Sequence, residues 1–69
     1  MNRVPVSSSN IAEVGFEENS GTLEILFHNN SLYHYYGVPE SVYQGLISAS
    51  SVGGYLHQHV KGVYPYEQQ

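Results

Sequence analysis

Leu32-Tyr33-His34-Tyr35-Tyr36-Gly37-Val38-Pro39 reads as an aromatic strand running straight into a proline-opened helix. In a strand, successive side chains alternate faces, so Tyr33 and Tyr35 share one side while Leu32, His34 and Tyr36 share the other. Pro39 suits the first helical position, where a missing N–H costs nothing. The clearest strand of the chain comes just before, over 22–27. There Leu23, Ile25 and Phe27 point one way, Thr22 and Glu24 the other, and Leu26 is the odd member.

The turn between these strands decides where the tyrosines go. If Asn29-Asn30 is a two-residue loop, Phe27 faces Leu32 and Ile25 faces His34, which puts Tyr33 and Tyr35 on the solvent side. If the loop is His28-Asn29-Asn30, with Asn30 in the left-handed region, Ile25 faces Tyr33 and Leu23 faces Tyr35. The first register must bury His34 without a partner, whereas the second leaves Glu24, His28 and His34 outside. The bulged register is therefore favoured, with both tyrosines facing the core.

Further out, Ala12, Val14 and Phe16 alternate with Glu13, Gly15 and Glu17 as another half-buried strand. Ile11 breaks that alternation and marks a bulge or a strand start. Glu17-Glu18-Asn19-Ser20-Gly21 is a turn in which Asn19 and Gly21 tolerate positive φ. Beyond Pro39, the residues Val42, Tyr43, Leu46 and Ile47 make one apolar helical stripe, weakened by Gly45. A second helix, capped by Ser51 or Ser50, runs through Val52, Tyr55, Leu56 and Val60 and stops at Lys61-Gly62. Gly53-Gly54 in its first turn costs about 1 kcal/mol per glycine relative to alanine, so helix–sheet packing or local turn geometry is expected to require them there.

The expected fold is α+β, a three-stranded antiparallel meander followed by two short helices packed on one face of the sheet. Residues 1–8 read as an extended arm, 9–66 as a single domain and 67–69 as a tail.

With 69 residues and no cysteine, one small core must hold without disulfides or thiolate metal cages, so the seven tyrosines have an ordinary structural job. Two basic residues against six acidic ones give a net charge of −4, the opposite of the basic footprint of a nucleic-acid binder. DNA is therefore not expected as a partner. The N-terminus lacks the plan of a secretory signal, and no stretch approaches the roughly 20 apolar residues of a membrane span. The expectation is a soluble cytoplasmic protein without membrane contact.

Few residues offer chemistry. His57 and His59 lie two apart on a helix, about 200° around its axis, and cannot converge on one ion. His28 and His34 read as solvated surface histidines. Glu17 and Glu18 are neighbours pointing apart, and a Ser-His-Asp triad cannot be built because the chain contains no aspartate. The Gly53-Gly54 turn could offer N–H groups to a phosphate, but it matches neither standard glycine-loop pattern. Lys61, the one basic residue of the folded body, is the best candidate for a phosphate contact, with Tyr55, Tyr64 and Tyr36 as aromatic companions. Exposed tyrosines would be worth about 1–3 kcal/mol per stacked base. No catalytic residue, cofactor or metal site is expected.

Ser7-Ser8-Ser9-Asn10-Ile11, Tyr33-x-Tyr35, Val38-Pro39, Ser51-x-Gly53-x-Tyr55, Lys61 and Tyr64-Pro65-Tyr66 occur in an order that resembles the KTSC domain family over residues 7–66. That family is named for its place at the C-terminus of some lysyl-tRNA synthetases and also occurs as free-standing bacterial proteins. The resemblance implies a small interaction module with no active site to carry over. Its motif residues Tyr33, Tyr35, Pro39, Ser51 and Gly53 read as structural. RNA is the partner suggested by the synthetase context, and a protein partner docking on Leu26, Leu32 and Tyr36 is the alternative.

Overall fold

A computed structural model of the chain describes residues 2–69. Five strands and two helices follow in the order β1 (Arg3–Pro5), β2 (Ile11–Glu17), β3 (Thr22–Phe27), β4 (Leu32–Tyr35), α1 (Glu40–Ser48), α2 (Val52–His59) and β5 (Tyr66–Gln68). The strands form one antiparallel sheet in the order β1-β2-β3-β4-β5. The α+β class with two helices holds, but the sheet has five strands rather than three. Its two outer strands come from segments read as arm and tail. Both are exposed throughout and carry no apolar alternation, so nothing in their side chains announces them. Backbone pairing recruits them, together with contacts that only the fold brings about: Arg3 with Glu13 and Glu24, and Tyr66 against Tyr33 and Tyr35. Pro5 is tolerated because β1 is an edge, and three-residue edges leave little free ladder for another chain to extend.

The β3–β4 turn takes the bulged form. Asn30 has φ 70°, the Phe27 N–H bonds to the Ser31 carbonyl at 2.9 Å, and Ile25 pairs with Tyr33 and Leu23 with Tyr35. Tyr35 is accordingly buried at 2% exposure, while Tyr33 is half-buried on the same face. The break at Ile11 is also a bulge: the β2–β3 register shifts between Ile11 and Glu13, which turns both Ile11 and Val14 into the core.

That core lies between one sheet face and the helices. Ile11, Val14, Leu23, Ile25 and Tyr35 meet Val38, Leu46, Val52, Leu56 and Val60. Each buried aliphatic side chain contributes about 1.5–3 kcal/mol. Ile47, expected in the α1 stripe, is instead 37% exposed, because a nine-residue helix presents only a narrow arc to the sheet. Pro39 stands one place earlier than expected, at the N-cap with ψ 153°, its carbonyl accepting from the Val42 N–H at 3.0 Å.

Three glycines have distinct causes. Gly21 adopts φ +67°, and a side chain there would meet the Val38 carbonyl at 3.2 Å. Gly45 lies directly under Tyr55, whose ring occupies the place a Cβ would take. Gly54 sits against its own cap, where a Cβ would come within 2.8 Å of Ser51 Oγ. Of the two reasons expected for the Gly53-Gly54 pair, helix–sheet packing and local turn geometry, Gly54 shows the second, while a Cβ on Gly53 would meet only Ser8 Oγ at 3.6 Å.

Candidate functional site

The helices cover the β2–β3 side of the inner sheet face and leave part of the β4–β5 side open. The result is a groove of about 470 Å³. Its floor is aromatic because β4 and β5 both turn their inward positions toward it: Tyr33 and Tyr35 from one strand, Tyr66 from the other. Tyr66 lies 5.7 Å from Tyr33 and 5.6 Å from Tyr35 between ring centroids, tilted at 44° and 40°. Phe27 closes one end, edge-on to Tyr33 at 5.5 Å. Asn29 and Ser31 of the β3–β4 turn supply a polar lip.

Lys61 reaches this rim through the way α2 ends. Its N–H bonds back to the Leu56 carbonyl at 2.9 Å, and Gly62, at φ +78°, turns the chain out toward β5. The Lys61 ammonium then lies 5.8 Å from the Phe27 ring centroid. Such an exposed cation–π contact is worth about 0.5–1 kcal/mol. Lys61 forms no ion pair among the described residues, whereas Arg3 is held by Glu13 at 3.1 Å and Glu24 at 3.3 Å.

Charge is sorted by face. No carboxylate lines the groove. Glu13 and Glu24 form ion pairs with Arg3 on the opposite face of the sheet, where His34 Nε2 also hydrogen-bonds Glu24 Oε1 at 2.7 Å. Glu67 accepts from the Tyr36 hydroxyl at 3.1 Å. Glu18 and Glu40 face each other, and the Glu40 charge raises the Glu18 carboxyl above its ordinary value. The side-chain carboxylates behind the net charge of −4 therefore lie away from the groove.

The tyrosine hydroxyls differ. Tyr33 donates to Gln68 Oε1 at 3.4 Å. Tyr35 lines the groove and has no hydrogen-bond partner among the described residues, yet no buried polar side-chain atom is left orphaned, so its hydroxyl opens into the groove. Burial, then the neighbouring Tyr33 and Tyr66, raise its pKa and keep it a proton donor.

Of the four ligand contacts expected from sequence, Lys61 lies on the groove and the other three lie elsewhere. Tyr55 packs over Gly45 between the helices, 4.4 Å from the His59 ring. Tyr64 packs against the core, and Tyr36 lies on the ion-paired face. Phe27 and Tyr66 were not singled out. Strand parity reveals Phe27 once Asn30 is bulged, but Tyr66 becomes visible only if the tail is recognised as a strand.

Two other features hold no comparable arrangement. A serine-rich hollow of about 300 Å³ lies at the start of α2, where Ser51 Oγ already takes the Gly54 N–H at 3.2 Å. His28 Nε2 is engaged with the Ser8 carbonyl at 2.9 Å, and no metal-binding group of three or more acidic or histidine side chains occurs among the described residues. Nor is any helix among them long and apolar enough to cross a membrane.

Comparison with known proteins adds the lineage. A family model described as the KTSC domain matches residues 7–64. The chain is 40% identical over 58 residues to a lysine–tRNA ligase of Trichormus variabilis, covering 84% of this chain but only 10% of that protein. It is 36% identical over 61 residues to an uncharacterized protein of Stutzerimonas stutzeri, covering 88% of this chain and 86% of the relative. The crystal structure of a KTSC domain protein from Yersinia pestis superposes with a TM-score of 0.95 at 37% identity, over 99% of this chain and 96% of that one.

Proposed function

We propose that this chain, which belongs to the KTSC domain family, is a non-enzymatic binding module that contacts structured RNA such as tRNA weakly, through the groove between α2 and β4–β5. The observation that carries this reading is the sorting of charge. An acidic chain is a poor nucleic-acid binder only if its acids face the nucleic acid, and here the groove holds Lys61, which has no ion-pair partner among the described residues, and no carboxylate. Relatives of this domain include stand-alone proteins and segments of lysine–tRNA ligases, whose substrate is tRNA by name. Aromatic rings beside a cation fit bases and phosphates together.

The adaptor reading has less support. Leu26, Leu32 and Tyr36 are half-buried rather than exposed, and the ion pairs of Arg3 with Glu13 and Glu24 and the His34–Glu24 hydrogen bond share their face.

An NMR titration of the labelled chain with total tRNA at low and moderate salt tests the proposal. One free cation neutralises about one phosphate, so the plot of log affinity against log salt should have a slope of magnitude about 1 at most. Lys61→Glu is expected to abolish binding and Lys61→Arg to retain it. Tight binding that persists at high salt and survives Lys61→Glu contradicts the proposal.

A further inference from the structure

We infer that the groove takes a single unpaired nucleotide, its phosphate at Lys61 and an acceptor atom of its base at the Tyr35 hydroxyl. This rests on the RNA reading and narrows it from structured RNA in general to nucleotides that are free of base pairing.

Three observations meet here. The groove, at about 470 Å³, falls within the roughly 300–1,000 Å³ of small-molecule sites, and a duplex about 20 Å across cannot enter such a space. Its walls present flat surfaces: Tyr66 is 61% exposed and Tyr33 half-buried, the two lying 5.7 Å apart. Stacking of this kind accepts any base and requires one that is out of its helix.

The third observation concerns Tyr35. Buried tyrosine hydroxyls ordinarily find a partner within the protein. Tyr33 uses Gln68 and Tyr36 uses Glu67, whereas Tyr35, at 2% exposure, keeps its hydroxyl directed into the groove without one among the described residues. As a fixed neutral donor on the floor of an aromatic slot, it meets a carbonyl oxygen or ring nitrogen of a base. Acceptors on the Watson–Crick edge, such as adenine N1 or cytosine N3, are free only when the base is unpaired.

The test is an NMR titration of the whole chain and its Tyr35→Phe variant with short unpaired oligoribonucleotides of A, C and U, with an A·U duplex, and with inorganic phosphate. Unpaired strands are expected to shift the amides of Phe27, Ser31, Tyr33, Lys61, Gly62 and Tyr66, and the duplex and phosphate to leave them in place. Tyr35→Phe should weaken binding roughly fivefold, the factor one neutral hydrogen bond supplies. If RNA binds but its shifts lie outside the groove, or duplex binds as well as single strands, or Tyr35→Phe binds unchanged, the inference is overturned while the RNA reading stands. If no RNA binds at low salt, both fall.

Discussion

The Tyr35 ring fills the core beside Leu23 and Ile25, while its hydroxyl belongs to the groove, so the two ends of one side chain are separable by mutation. Removing the hydroxyl breaks no hydrogen bond among the described residues, and Tyr35→Phe is expected to stay within about 1 kcal/mol of the parent's stability at neutral pH, the net worth of a typical hydrogen bond. Alkali separates the two proteins. The folded-state pKa of Tyr35 is raised above the ordinary 10.0, so its contribution is intact below pH 10 and is lost as pH climbs through the folded value. Thermal melts at pH 7 and above pH 10 should therefore show the Phe variant losing less stability than the parent. An equal loss would place the hydroxyl in open water. The position of this residue was legible because one asparagine, Asn30, fixes the register of β4 through its φ of 70°. The role of its hydroxyl was not, since a tyrosine's partner depends on strands that carry no pattern.

At the scale of elements, both helices follow from periodicity and from the Ser51 cap, and Gly45 explains how they meet. In an isolated helix Gly45→Ala would gain about 1 kcal/mol. Here the added methyl would collide with the Tyr55 ring, and overpacking of this kind costs about 1–3 kcal/mol. Gly45→Ala is expected to lower the midpoint of thermal unfolding, and in a Tyr55→Leu background the same change should become neutral or stabilising. A stabilising Gly45→Ala in the parent protein would show that α1 and α2 do not meet over this glycine. Tyr55 read as a ligand contact from sequence because a tyrosine near a lysine is all that a sequence displays; its use as a packing wedge needs the helix crossing. Likewise β1 and β5 escaped notice because exposed three-residue strands are too short to show an apolar alternation. With β5 missing, the wall bearing Tyr66 was missing too.

Across the whole molecule, net charge misleads unless its placement is known. Six acidic residues against two basic ones argue against RNA on composition alone, and the fold removes the force of that argument by keeping the glutamates off the groove. Arg3, the other cation, is occupied by Glu13 and Glu24. On the proposed function, RNA meets the face that carries Lys61, Tyr33 and Tyr66, not the opposite face that carries Arg3, His34 and Tyr36. Ultraviolet cross-linking of the intact chain to tRNA at low salt, with the attached residues identified by mass spectrometry, tests this most directly. The account predicts adducts at Tyr33, Tyr66 or Phe27 that disappear in Lys61→Glu; adducts concentrated at Tyr36 or His34 and indifferent to Lys61→Glu would contradict it.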